Sequence, residues 1–268
     1  MRDSRLVTTR IVQLTDLHLF RDPDARLFGI PTRELLGDVL AHVAEHAGRV
    51  DHLVITGDHS HDDLPETYAA LRELLAPWQD RLWQLPGNHD ARPVLRAVFG
   101  DRIEGEGSER ISFSFRAGDW LCLGLDTQVP GEVGGRIDEE QLRWVERQLR
   151  EHDPAGAVLF MHHPPLNTGQ DWLDRIGLDG KELLRSLLAA EPRLRLVCCG
   201  HVHHERADRV GEAEIVTTPS TGLEFSPTSP TKLFVRSAPG YRIVELGEDG
   251  CATWVVRLTE ARYTPTTG

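Results

Sequence analysis

Short apolar runs along this chain repeatedly end in residue types that ligate metals, and that recurrence limits its fold more than any other feature. Residues 11–14 lead into Asp16-x-His18, residues 53–55 into Gly57-Asp58, and residues 82–85 into Gly87-Asn88-His89-Asp90. Residues 157–161 lead into His162-His163-Pro164, and residues 194–199 into Gly200-His201-x-His203. Runs of this length and composition read as buried strands. Ligands placed again and again at strand C-termini converge on one edge of a sheet, where α/β proteins build their sites. The pattern predicts a metalloenzyme.

Helical patterns fill the spaces between these runs. Residues 32–47 carry Leu35, Leu36, Val39, Leu40 and Val43 on one face, and residues 65–75 begin with Pro65, suited to a first helical turn. Residues 138–149 open on Asp138 as a cap and align Leu142, Val145 and Leu149, while residues 180–190 give a further helix ended by Pro192. Strict alternation in 111–115, then Gly118-Asp119, then the apolar 120–123, reads as a hairpin. After Gly200 the helical patterns stop, and residues 214–218, 232–236, 241–246 and 252–258 read as strands. The tail 264–268 is expected to fray. With no repeat, low-complexity block or linker, the expectation is one α/β domain over 1–268, two packed sheets with helices outside.

A hydrophobic content of 40% in 268 residues is enough for a substantial core. The formal charge of −12 argues against a general nucleic-acid or anionic-membrane binder, because no basic stripe exists to displace counterions. A small phosphate substrate stays compatible, since bound cations would invert the local field. The four cysteines do not read as a disulfide framework: Cys198 and Cys199, adjacent in one apolar run, and Cys122 in another read as small buried hydrophobes, and Cys251 starts a late strand. Residues 1–5 lack the apolar stretch of a signal peptide and no segment approaches a membrane span, so a cytoplasmic location is expected.

Imidazole and carboxylate without thiolate suit iron, manganese or zinc better than an all-oxygen calcium site. The candidates are too numerous for one ion, and Asp58 sits in a tight Gly-Asp turn where both carboxylate oxygens could serve. Two cations about 3.5–4 Å apart, bridged by a carboxylate and a hydroxide, are the economical solution. Each motif alone has an ordinary reading as a capped or polar turn. Their joint occurrence does not.

The ordered set DxH, GD, GNHD, HH and GHxH resembles the calcineurin-like metallophosphoesterases. Segments 13–20, 172–174, 218–221 and 238–242 further resemble bacterial class III 3′,5′-cyclic AMP phosphodiesterases, so the likeness spans roughly 10–258. The resemblance implies a four-layer α-β-β-α sandwich of two mixed sheets flanked by helices. It implies one metal on Asp16, His18, Asp58 and His203 and another on Asp58, Asn88, His162 and His201; the residues alone do not separate His162 from His163. The metals implied are iron and manganese, with zinc as an alternative. Asn88 and His89 would contact the phosphoryl group. His89 would protonate the leaving oxygen, with Asp90 orienting its ring. The partner implied is a small cyclic nucleotide, with no nucleic acid or membrane, and an oligomer is left open.

The expected reaction is hydrolysis of 3′,5′-cyclic AMP to 5′-AMP through a metal-bridging hydroxide. The alternatives are the same chemistry on a 2′,3′-cyclic nucleotide, glycerophosphodiester or phosphomonoester, or a non-catalytic scaffold, which the intact ligand set disfavours. One departure stands out: the residue after Gly57-Asp58 is commonly aliphatic in that family and here is His59, with His61 following. That places His59 as a polar loop residue, as an added donor behind the metal ligands, or as an additional ligand that alters metal preference. Residues 170–179 with Trp172, and residues 218–225, are candidate walls for the nucleoside.

Overall fold

The computed structural model describes residues 8–101, 103, 107, 109–231 and 233–266. The expectations for residues 1–5, for Lys232 and for residues 267–268 lie outside the described residues. In chain order the elements begin with β1 (Thr9–Leu14), α1 (Thr32–His46), β2 (His52–Thr56), α2 (Pro65–Leu74), β3 (Leu82–Leu85) and α3 (Arg92–Phe99). Next come β4 (Phe113–Ala117), β5 (Trp120–Leu125), β6 (Gly135–Arg136), α4 (Glu139–His152), β7 (Gly156–Met161), α5 (Asp171–Asp174), β8 (Leu178–Asp179), α6 (Lys181–Ala190) and β9 (Leu194–Cys199). Only strands follow: β10 (Arg206–Val210), β11 (Ala213–Thr217), β12 (Glu224–Phe225), β13 (Phe234–Val235), β14 (Gly240–Gly247) and β15 (Gly250–Arg257).

The first sheet has the order β15-β14-β1-β2-β3 and the second β10-β11-β9-β7-β5-β4. Within them β1, β2 and β3 run parallel, as do β5, β7, β9 and β11; antiparallel strands lie at the β15-β14 edge of the first sheet and at both edges of the second, while β3 is a parallel edge. The strands are apolar on both faces because both faces are covered. Ile11, Val54, Leu85 and Val244 of one sheet meet Phe113, Val158, Phe160, Leu196 and Cys198 of the other in a shared core. The alternate residues point outward: Val12, Leu14, Leu53 and Ile55 pack on Leu36, Val39 and Val43 of α1 and Tyr68 and Leu71 of α2. On the opposite side Leu121, Leu159 and Val197 pack on Val145 and Leu149 of α4 and Leu184 and Leu188 of α6. Period-two alternation thus builds the expected four layers. No helix among the described residues is long and apolar enough to cross a membrane.

Several local expectations hold in detail. The Asp138 side chain accepts from the Gln141 N–H and caps α4, and Cys122, Cys198 and Cys199 are free and buried. Others need correction. The strand expected over 232–236 shrinks to β13. Helix α3 was not anticipated, although Pro93 in its first turn and the Leu95–Phe99 pair signal it. Edge strand β10 escapes hydrophobic periodicity because its residues are mostly exposed. The tail is docked as far as it is described: Thr266 N–H donates to the Phe28 carbonyl at 2.8 Å, and the Tyr263 hydroxyl donates to Glu34 at 2.7 Å.

Candidate metal centre

All five motifs lie at the C-terminal ends of β1, β2, β3, β7 and β9, and the turns there adopt unusual backbone. Asp16, His18, Asp58, His201 and His203 have φ of 54°, 46°, 55°, 70° and 59°. This left-handed region is uncommon outside glycine, and Asp and His tolerate it better than most residues. Lattices of backbone bonds hold it. Asp16 N–H donates to the Gly57 carbonyl at 3.0 Å and His18 N–H to the Asp58 carbonyl at 2.9 Å. His201 N–H donates to the Asp16 carboxylate at 3.1 Å, His89 N–H to Asp58 Oδ1 at 2.9 Å, and the Ser220 hydroxyl to the Asp16 carbonyl at 2.7 Å. Each loop therefore rests on the next. A Cβ on Gly57 would lie 2.5 Å from Gly87 N and 2.6 Å from His162 Nδ1, and one on Gly87 would collide with Asp58 Oδ1.

The side chains converge around the carboxylates. His18 Nε2 lies 3.5 Å and His162 Nε2 3.4 Å from Asp58 Oδ2, so both rings face one carboxylate oxygen. His203 Nε2 lies 3.4 Å from Asp16 Oδ1 and 3.1 Å from His18 Nε2. Asn88 Oδ1 lies 3.2 Å from His162 Nε2 and 3.1 Å from His201 Nδ1. Donor atoms of Asp16, His18, Asp58 and His203 fall within 4.8 Å of one another, dimensions that suit one ion. Beside it, His162, His201 and Asn88 form a second group reached from the same Asp58.

Hydrogen bonds on the far side of each ring select the inward nitrogen. His162 Nδ1–H donates to the Thr56 carbonyl at 2.7 Å, His203 Nδ1–H to the Leu223 carbonyl at 2.8 Å, and His201 Nε2–H to the Ile176 carbonyl at 2.9 Å. Such outer bonds leave the opposite nitrogen with its lone pair aimed inward, as metal-binding histidines require. His163 differs: one of its nitrogens also lies within 4.8 Å of ligand atoms of His162 and His201, but Nδ1 meets Thr127 Oγ1 at 2.8 Å and Nε2 meets the Val133 carbonyl at 3.1 Å, so both nitrogens already have protein partners. Donor chemistry and ring orientation both fit a pair of transition-metal cations.

Electrostatics fit as well. Burial and neighbouring histidines hold His18 well below its ordinary value, and burial lowers His201 and His203 to about 3, leaving these rings neutral. Burial lifts Asp16 to about 7, with Asp58 adding to the rise. Burial opposes charge on both members of the Asp58–His162 pair, but their mutual attraction overrides it. Asp58 is held well below the carboxylate range and His162 rises to about 9. Carboxylates and lone pairs crowded this closely call for external positive charge.

Asp90 requires a correction. Its carboxylate accepts from Gly87 N–H at 2.9 Å, from the Tyr68 hydroxyl at 2.9 Å, from His59 N–H at 3.0 Å and from His59 Nδ1–H at 2.9 Å. None of its bonds goes to the His89 ring. Buried backbone donors of the 87–90 and 58–60 turns need an acceptor, and Asp90 is spent on them. His59 is accordingly wholly buried against Asp90, which fits the donor reading, and it belongs to none of the candidate ligand groups among the described residues. His89 is partly exposed, and its ring lies against His61 and His18. The 218–225 stretch also turns inward rather than lining an open wall: Thr218 Oγ1–H donates to Gln13 Oε1 at 2.6 Å, and Phe225 packs 4.3 Å from the His203 ring. Trp172 sits edge-on to Phe225, with ring centroids 5.1 Å apart.

Sequence reasoning missed the supports. Arg92 and Asp126 form a buried ion pair at 2.7 Å, and Gln128 Nε2–H donates to the Gly87 carbonyl at 2.8 Å. Together they fix the loop that carries Asn88 and His89. An Arg followed by Pro at a helix start was the available signal for Arg92; nothing in the sequence pairs it with Asp126.

Over residues 9–205 the chain matches the calcineurin-like phosphoesterase family. The chain belongs to this family. Among relatives, this calcineurin-like phosphoesterase is 36% identical to the 3′,5′-cyclic adenosine monophosphate phosphodiesterase CpdA of Pseudomonas aeruginosa, over 90% of this chain and 86% of that one. It is 34% identical to the protein of the same name from Escherichia coli strain K12, over 96% and 93%. Among solved structures it is similar to a dimetal phosphatase from Danio rerio, with TM-score 0.62 at 17% identity, over 93% of this chain and 98% of that one. The last likeness shows the shared fold. For a calcineurin-like phosphoesterase, the buried cluster described above is a binuclear-type metal-binding site.

Proposed function

We propose that this enzyme hydrolyses 3′,5′-cyclic AMP to 5′-AMP. The observation that carries the reading is the meeting of two ligand groups at Asp58, with His89 beside them and partly open to solvent. The choice of ester is supported by the relatives from P. aeruginosa and E. coli, whose names state that substrate and which match nearly the whole chain. The net charge of −12 favours a small phosphate over a polynucleotide.

Asp16, His18, Asp58 and His203 would hold one cation, and Asp58, Asn88, His162 and His201 the other. Imidazole, carboxylate and one amide without thiolate suit iron with manganese, with zinc as the alternative. When bound, such a pair supplies an acidified water and positive charge for the phosphoryl oxygens. The chain's own groups do the rest. Asn88 turns Oδ1 toward His162 and His201, which leaves its Nδ2–H for a non-bridging phosphoryl oxygen. As the water oxygen, having lost a proton to solvent, bonds to phosphorus, the P–O3′ bond breaks on the opposite side, His89 gives its ring proton to the departing 3′-oxygen, and solvent returns a proton to His89. The P–O5′ bond survives, so the product is 5′-AMP.

The test pairs metal analysis with an ester panel on iron- or manganese-loaded enzyme: 3′,5′-cyclic AMP, 2′,3′-cyclic AMP, a glycerophosphodiester and a phosphomonoester. The expected result is highest kcat/KM on 3′,5′-cyclic AMP with 5′-AMP as product. A far higher value on another ester overturns the substrate.

A further inference from the structure

Because the Asp90 carboxylate is committed elsewhere, something else must set the orientation of the His89 imidazole. The His89 ring makes no hydrogen bond to a protein group among the described residues. Its ring contacts are two imidazoles: His61, stacked at 4.7 Å between centroids and 21° between planes, and His18, edge-on at 4.9 Å and 81°. His18 is held for the metal cluster, so the adjustable partner is His61.

His61 is itself well fixed. Its N–H donates to the Leu19 carbonyl at 2.8 Å, next to the Leu19–Ser60 bridge that joins the first two metal loops. Its Nδ1 lies 3.3 Å from His18 Nδ1, and the Phe20 ring packs against it at 5.0 Å. The face presented to His89 is therefore a rigid, flat platform. Stacking on it leaves the edge of the His89 ring, where both nitrogens lie, free to face a substrate oxygen.

We infer that His61 is a positioning residue that holds His89 by ring stacking in the attitude needed to protonate the leaving oxygen. This rests on the reading of His89 as proton donor. A proton donor matters for an alkoxide leaving group such as the ribose 3′-oxygen and little for a p-nitrophenolate, which departs unaided. A residue acting only through His89 inherits that selectivity. A residue that merely supports the loops does not.

The experiment compares metal-loaded wild type, His61→Ala, His61→Phe, His89→Ala and the double variant His61→Ala/His89→Ala. The substrates are 3′,5′-cyclic AMP and bis(p-nitrophenyl) phosphate, and metal content is measured on every sample. Misplacing the donor in His61→Ala should lower kcat on cyclic AMP about 10- to 100-fold with KM little changed. The aryl diester should stay within about twofold of wild type, and the wild-type metal content should persist. His61→Phe keeps a flat ring against His89 and should recover most of the loss. In the His89→Ala background, His61→Ala should cost nothing further. Ring ¹⁵N relaxation should report a more mobile His89 in His61→Ala than in wild type. If His89→Ala slows both diesters alike, the donor role falls and this inference with it. If His89→Ala spares the aryl diester while His61→Ala slows both, or while His61→Phe is as impaired as His61→Ala, the donor role stands and the inference about His61 is overturned.

Discussion

Strain at single residues is concentrated on the candidate ligands. Left-handed backbone at Asp16, His18, Asp58, His201 and His203 costs on the order of 1 kcal/mol each and persists because interlocking loop bonds over-determine it. The same crowding makes glycine necessary at Gly87, where a methyl group would take the place of Asp58 Oδ1. Gly87→Ala should therefore strip the enzyme of metal, as read by plasma emission after gel filtration; wild-type metal content in that variant contradicts the account. His89 behaves oppositely. Its backbone N–H supports Asp58 and its ring is partly exposed beside the cluster, so His89→Ala should keep both metals and lower turnover on cyclic AMP by about 10²–10⁴-fold. A variant that kept full rate, or lost its metals, removes the proposed role.

Elements contribute by aiming their ends. Parallel β1, β2 and β3 in one sheet, and β7 and β9 in the other, all finish at the same rim, so loops distant in sequence meet there. Helix α3 anchors the Asn88–His89 loop through Arg92, whose guanidinium is buried on Asp126 and also reaches the Gln128 carbonyl at 2.7 Å. Removing one member of a buried pair leaves an uncompensated charge, so Arg92→Ala should cost about 3–5 kcal/mol in urea unfolding. Asp138→Ala, which deletes only the cap of α4, should cost about 1 kcal/mol. Equal losses in the two variants would show that the Arg92 pair is not the bolt described here.

The centre also sets how the whole molecule responds to pH and metal. In chelated protein, Asp16 at about 7 and His162 at about 9 both lie above their ordinary values. The native state then holds protons that the unfolded chain releases earlier, so their stabilisation is complete in acid and is lost as pH climbs from the ordinary values to the raised ones, by about 7 for Asp16 and by about 9 for His162. His18, His201 and His203 lie below their ordinary values, and their contribution is lost as pH falls below the usual imidazole range. Stability of the chelated protein should therefore peak near neutrality and decline from about 7 to about 9, as followed by melting temperature. Cations displace the retained protons. Adding manganese at pH 8 to the chelated protein in weak buffer should release protons, and at about 100 times Kd it should add about 2.7 kcal/mol of stability. Uptake of protons on loading would refute this electrostatic picture.

The α/β class, the strands ahead of each ligand, helices α1, α2, α4 and α6, and the residue types of the metal cluster were all legible in the sequence, because each depends on periodicity or on a motif a few residues long. The polar edge strand β10 was not, since exposed edges carry no apolar signal. Nor could local pattern tell His162 from His163. That distinction depends on which carbonyl or hydroxyl lies behind each ring, Thr56 for one, Thr127 and Val133 for the other. The role of Asp90 was misassigned for the same reason: a carboxylate beside a histidine in sequence went to the nearest buried N–H donors in space. Chain order determined which chemical groups arrive at the rim. Only tertiary packing decided which lone pair each one points inward, because that choice belongs to partners tens to hundreds of residues away.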